Sequence, residues 1–292
     1  MRGFGSRLGA EIAAGRQLCV GIDPHRFLLE DWGLPDTAAS AERMGREVIA
    51  AAAGVAAAVK PQIAFFERFG AAGYVALERV LADAREAGVL LIADVKRGDV
   101  GSSCDAYADA WLAPGSPLES DAMTASAFQG FGTLAGALGH VTEHGKGLFV
   151  LAATSNPEAK AIQTARVADP AGGERTLSVQ LLAEIAEFNA AQASNEASVG
   201  SVGAVLGATL NFADYGIDTS VGLSPALPVL APGFGHQGAD VAKADAIFGA
   251  LGTALLVSES RSVLRGGSAG LAQRVRAHAT TIDETRERVS HG

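Results

Sequence analysis

The chain has little of what staples small secreted folds. Two of its 292 residues are cysteine, Cys19 and Cys104, and they lie far apart with no CxxC between them. They read as small core or loop residues rather than as a disulfide or metal ligands, which suits a reducing cytosol. Aromatic residues make up only 6%, so packing falls to Ala, Val, Leu and Gly. No apolar run approaches the ~20 residues of a membrane span. The first eleven residues hold no apolar stretch long enough for a signal peptide. The expected location is therefore the cytoplasm.

Basic charge is also in deficit, with 23 Lys and Arg against 32 Asp and Glu and a net charge of −9. This argues against a nucleic-acid partner, although a local basic pocket could still hold a small anion. A P-loop is missing, and no Gly-x-Ser-x-Gly elbow surrounds Ser155. The six histidines show no metal spacing; His140 and His144 stand i, i+4 but outside a His-Glu-x-x-His frame.

Hydrophobic residues reach 48%, enough to fill one large α/β core. Eight apolar, strand-like runs begin at Leu18, Val55, Val89, Ser120, Gly147, Val202, Leu227 and Ala254. Helical periodicity follows or precedes each, over 6–15, 38–54, 71–87, 102–113, 131–145, 175–192, 239–250 and 269–279. A longer excursion spans 158–200, with 193–200 read as loop. Strict alternation means a parallel sheet, and eight repeats favour a closed (β/α)8 TIM barrel over an open sheet. The barrel is assigned to residues 1–280, and the polar stretch 281–292 to a tail that frays.

Active sites of such barrels lie at the C-terminal ends of the strands, and polar residues cluster there. Asp23 closes the first run, before Pro24, and Lys60 closes the second. The third run reads Val89-Leu-Leu-Ile-Ala-Asp94-Val-Lys96-Arg-Gly98-Asp99. Strand alternation turns Asp94 and Lys96 to the side of Leu90 and Ile92. Gly98 then allows a turn that brings Asp99 within reach of the same ammonium. Two carboxylates around one amine favour its charged form and suit it to protonate a carbon that has just become negative. A salt-bridged strand end is the plainer reading.

Thr154-Ser155-Asn156-Pro157 after the fifth run is either a polar turn or a hydroxyl pair for the edge of a heterocycle. Pro232-Gly233-Phe-Gly235-His-Gln237-Gly238 matches the dinucleotide fingerprint but precedes only one further strand. It is a lookalike, and either a turn or a phosphate-binding loop. Ser260-Arg261 after the last run offers a bidentate partner for the same phosphate, or a surface charge.

Together these motifs resemble the orotidine 5′-phosphate decarboxylase family over nearly the whole chain. Asp94-x-Lys96-x-x-Asp99 and Lys60 are similar to its alternating Lys-Asp-Lys-Asp network, and Gly21-Ile-Asp23-Pro24 to its first-strand motif. The resemblance implies decarboxylation of orotidine 5′-monophosphate to uridine 5′-monophosphate, the last step of de novo pyrimidine biosynthesis, with no cofactor. It implies Lys96 as proton donor and Asp94, Asp99 and Lys60 as its charged partners. Asp23 would meet the ribose, Thr154 and Ser155 the pyrimidine, and Pro232, Gly233, Gln237, Ser260 and Arg261 the phosphate. A homodimer is implied, with Asp99 reaching the neighbouring site. The excursion exceeds the compact form of the family and looks like its longer bacterial subgroup. Two other readings stand beside this one: a Mg²⁺-dependent sugar-phosphate decarboxylase or aldolase of the same superfamily, and a non-catalytic barrel that binds a phosphate ligand.

Overall fold

A computed structural model describes residues 2–169, 172–193 and 198–290. The strands are β1 (Leu18–Ile22), β2 (Ala58–Pro61), β3 (Leu90–Arg97), β4 (Ala122–Ala125), β5 (Gly147–Ala153), β6 (Arg166–Ala168), β7 (Glu174–Thr176), β8 (Val202–Leu206), β9 (Pro228–Pro232) and β10 (Ala254–Glu259). Eight of them close a parallel barrel in the order β1-β10-β9-β8-β5-β4-β3-β2. Closure is made where Leu18 stands opposite Val257.

The helices are α1 (Phe4–Ala13), α2 (Arg26–Asp31), α3 (Ala38–Ala52), α4 (Ala64–Glu67), α5 (Ala71–Ala87), α6 (Gly101–Leu112), α7 (Ala135–His144), α8 (Lys160–Gln163), α9 (Leu177–Ala191), α10 (Ala244–Phe248), α11 (Arg261–Leu264) and α12 (Leu271–Ser290). Thr37 caps α3 by accepting from Ser40 N–H, and Gly88 ends α5 at φ +69°. No described helix is long and apolar enough to cross a membrane.

Side-chain parity divides the core. Cys19, Ala58, Leu90, Ile92, Ala122, Phe149, Leu230 and Leu256 fill the barrel interior. Their neighbours Leu18, Val20, Val59, Leu91, Ala93, Met123, Val229 and Val257 pack outward under the helices. Below the barrel, Phe4 of α1 meets Phe149 edge-on at 5.8 Å. Carried two residues further, the interior parity reaches the upper mouth at Lys60, Asp94, Thr124, Pro232 and Ser258, and carried four further, just past the strand ends, at Asp23 and Ser260.

Four local expectations change. The second strand begins at Ala58, because α3 ends at Ala52 and the turn through Gly54 (φ +70°) takes up residues 53–57. The 239–250 segment breaks into 3-10 turns around α10, with Gly249 at φ +50°. The excursion carries an antiparallel pair, Arg166 opposite Thr176, that no periodicity announced; residues 170–171 and 194–197 lie outside the described set. The fraying expected from 281 is replaced by the continuation of α12 to Ser290. Ile282 is buried there, and Arg286 bonds Asp245, Gly252 O and Gln17 Oε1. A buried apolar residue and an anchored guanidinium hold a stretch that composition alone marked as loose. Residues 291–292 are outside the described set.

Candidate active site

Asp94 stands at the centre of a cavity of about 430 Å³ at the C-terminal ends of the strands. Four donors converge on its carboxylate. Oδ2 accepts from Lys60 Nζ at 2.9 Å and from Gln62 Nε2 at 2.9 Å. Oδ1 accepts from Lys96 Nζ at 2.6 Å and from Thr124 Oγ1 at 2.9 Å. Asp94 and Lys60 are each only 7% exposed, whereas the Lys96 side chain is 44% exposed toward the cavity.

The electrostatics follow. Burial alone would raise the Asp94 pKa, but Lys60 and then Lys96 outweigh it and hold the carboxyl well below its usual range. Burial alone would lower that of Lys60, but Asp94 and Asp23 hold it above the usual lysine value. Asp94 and Lys60 are thus held ionised at neutral pH, and the Lys96 amine stands between them and open space. Burial drives the neighbouring Cys19 thiol up to about 12, against the pull of Lys60. It is therefore an inert core group.

Lys96 is the one described non-glycine residue with positive φ, at 48°. The β3–β4 register shifts between Ala93 and Arg97, and Lys96 N–H donates to Thr124 Oγ1 at 3.0 Å. That break lets the side chain fold back onto Asp94. A left-handed non-glycine residue costs ~1–3 kcal/mol and persists where its surroundings over-determine it.

On one flank, Asp23 Oδ1 and Ser260 Oγ are buried with no hydrogen-bond partner. Buried polar atoms normally have partners, so this pair fits a ligand's hydroxyl groups. A Cβ on Gly21 would lie 2.7 Å from Ser260 Cβ, so only glycine fits beneath them. On another flank lie Pro232, Gly233, His236, Gln237 and Arg261. Neither Gln237 nor Arg261 makes a side-chain hydrogen bond among the described residues. The positive field of Arg261 lowers the His236 pKa, helped by burial and Arg265. A cation, an amide and turning backbone suit a phosphate. Below them Glu259 accepts from Ser262 Oγ at 3.0 Å and meets His278 Nδ1 at 2.5 Å. Thr154 and Ser155 line the remaining wall with the apolar side chains of Leu151, Val205 and Leu230.

The cavity therefore gathers Lys96, Asp94, Lys60, Asp23, Thr154, Ser155, Pro232, Gly233, Gln237, Ser260 and Arg261. Asp99 is the exception. It is half-exposed and accepts from Val100 N–H at 2.9 Å, and Lys96 pairs with Asp94 instead. The expected approach of Asp99 to the same ammonium does not occur within one chain. Gly98 sits hard against Ser126 O, where a Cβ would lie at 2.1 Å, and Asp99 is not among the residues that line the cavity. Gln62 and Thr124 were missed. Both had a signal: Gln62 follows Lys60 by two residues, and Thr124 shares the inward parity of Ala122.

A closed (β/α)8 barrel whose mouth sets a lysine–aspartate–lysine row between an unpartnered carboxylate and hydroxyl on one flank and a guanidinium and amide on another has the chemistry to suit a small phosphorylated ligand. Residues 16–257 match the model of the family described as Orotidine 5′-phosphate decarboxylase / HUMPS family. An orotidine 5′-phosphate decarboxylase of a Nocardioides species is 51% identical over 263 residues, covering 90% of this chain and 92% of the relative. One from Streptomyces coelicolor is 44% identical over 283 residues, 97% of each chain. The fold matches a Streptomyces avermitilis crystal structure with a TM-score of 0.88 at 43% identity, covering 98% of this chain and 96% of the other. Leishmania donovani OMP decarboxylase matches with a TM-score of 0.71 at 30% identity, covering 94% and 97%. The chain belongs to the orotidine 5′-phosphate decarboxylase family.

Proposed function

We propose that the protein decarboxylates orotidine 5′-monophosphate to uridine 5′-monophosphate, closing de novo pyrimidine synthesis, and that Lys96 donates the proton. The observation that carries this reading is the row Lys60–Asp94–Lys96, whose one exposed member faces the cavity. The phosphate lies against Gln237 and Arg261, the ribose hydroxyls against Asp23 and Ser260, and the pyrimidine edge against Ser155. The substrate carboxylate then approaches Asp94. Two like charges at ~4 Å and an effective dielectric of ~20 repel by ~4 kcal/mol. The C6–carboxylate bond breaks, its electron pair stays on C6, and CO₂ leaves. The Lys96 ammonium stabilises that charge and gives C6 its proton, which solvent later restores to the amine. Phosphate contacts far from C6 supply binding energy that holds the ring in place.

Both Asp94 oxygens already face cationic donors, a surrounding that repels Mg²⁺ and disfavours the metal-dependent sugar-phosphate reading. A barrel that only binds its ligand gains nothing from a carboxylate facing a carboxylate. We place Asp99 in the neighbouring site of a homodimer, an assignment supported by its position outside this chain's cavity lining and by Lys96 pairing with Asp94 instead. The cytoplasm is the setting, which two free buried cysteines fit.

Adding orotidine 5′-monophosphate to chelator-treated protein should give a steady loss of the substrate's ultraviolet absorbance. Activity abolished by the chelator and restored by Mg²⁺ would transfer the chain to the metal-dependent reading.

A further inference from the structure

The long excursion after β5 reaches back to the cavity wall through Gln163, the last residue of α8. Gln163 Nε2 donates to Thr154 Oγ1 at 3.0 Å, and its Oε1 accepts from Thr154 N–H at 2.9 Å. One amide grips both a peptide N–H and a hydroxyl, so flipping it would set NH₂ against N–H. The Thr154 hydroxyl hydrogen goes on to Asn156 Oδ1 at 2.8 Å. Both donors of Thr154 are therefore engaged within the protein. Gln163 is itself anchored: fully buried Ser178 reaches its carbonyl at 3.0 Å and Ala152 O of β5 at 2.7 Å. From the opposite side Gly207 N–H donates to Ala153 O at 2.9 Å, and a Cβ on Gly207 would lie 3.4 Å from Ser155 N. Ser155 is the member of the hydroxyl pair left without a hydrogen bond among the described residues, on the cavity wall.

We infer that Gln163 is a positioning residue for nucleobase recognition: through Thr154 it sets where Ser155 meets the ring. This inference rests on the proposed function and deepens it. It gives the excursion a part in specificity. It also divides a motif that looks like two equivalent hydroxyls, since Thr154 builds the wall and Ser155 reads the ligand. The effect falls on the base and spares the phosphate, whose partners lie on the loops after β9 and β10.

The test compares Gln163→Leu and Gln163→Glu with the unaltered protein. The measurements are steady-state kinetics with orotidine 5′-monophosphate, and calorimetric titration with uridine 5′-monophosphate and with ribose 5-phosphate. Leucine keeps the bulk and removes both hydrogen bonds. It should raise KM and weaken the uridine nucleotide about tenfold, equivalent to ~1.4 kcal/mol, while ribose 5-phosphate stays within about twofold. Glutamate keeps an acceptor for Thr154 N–H and should recover part of the loss. Equal weakening of both ligands, or no weakening of either, overturns the inference. Should Gln163→Leu fail to fold, Ser178→Ala loosens Gln163 from behind and should show the same base-selective loss. If the unaltered protein neither binds the uridine nucleotide nor turns over substrate, the proposed function falls and takes this inference with it. If it does both, and the variants show no selectivity, only the inference falls.

Discussion

Lys96 Nζ lies 2.6 Å from Asp94 Oδ1, although Lys96 departs from extended geometry near the end of β3, at φ 48°. Regular strand geometry would stack the two side chains on one face and leave the ammonium further along. The backbone break instead folds the amine over the carboxylate, while Lys60 holds the other oxygen from below at 2.9 Å. The buried amine fixes the acid, and the acid fixes the mobile amine.

Lys96→Ala should abolish turnover and leave uridine 5′-monophosphate binding within about tenfold, because the phosphate and ribose contacts lie elsewhere. Substrate assayed by absorbance and nucleotide by calorimetry separate the two effects. Turnover surviving at a tenth of the unaltered rate would remove Lys96 as proton donor.

Arg261→Ala should act chiefly on KM. A charge-assisted contact to phosphate contributes ~1.5–3 kcal/mol, so KM is expected to rise ~10–150-fold. If kcat collapses while KM holds, Arg261 does more than grip the substrate.

The buried pair sets the pH range of stability. Asp94 has a depressed pKa when folded, so its contribution is present above its unfolded value of 3.8 and is lost as pH falls toward the folded value. Lys60 has a raised pKa when folded, so its contribution is present below 10.5 and is lost as pH rises beyond. Around neutrality the pair should leave stability flat. Asp94→Asn strands two amines and should cost ~3–5 kcal/mol. Urea denaturation at neutral pH measures this, and a loss below ~1 kcal/mol would contradict the burial described.

His278 gives a gentler, separate signal. Its hydrogen bond to Glu259 is the largest influence and raises its pKa against burial. Stability from this pair is full below 6.5 and declines as pH rises through the folded value. The melting temperature should therefore fall slightly as pH rises above 6.5, and the slope should vanish in His278→Gln.

A dimer with shared sites predicts complementation. Mixing Lys96→Ala with Asp99→Ala subunits should regenerate one working site per mixed dimer, measured as activity that neither parent shows. Silence after subunit exchange has been verified would confine Asp99 to its own chain.

The barrel was legible in the sequence because buried parallel strands read as short apolar runs and their helices as 3.6-residue periodicity. Those two patterns survive without any tertiary information. Alternation also pointed Asp94 inward, since it is local and obligatory, and position at the ends of the apolar runs brought Asp23, Lys60 and Ser260 to the same mouth. Other features depended on contacts between residues far apart in the chain. The four-donor cradle of Asp94 depends on Lys60, thirty-four residues before it, and on Thr124, thirty residues after it. The last helix is held by Gln17, from the opposite end of the chain. Local preference determined which elements form and which way their side chains point. Only the packed structure decided which charge meets which, because such pairings are set by three-dimensional distance and not by spacing along the chain.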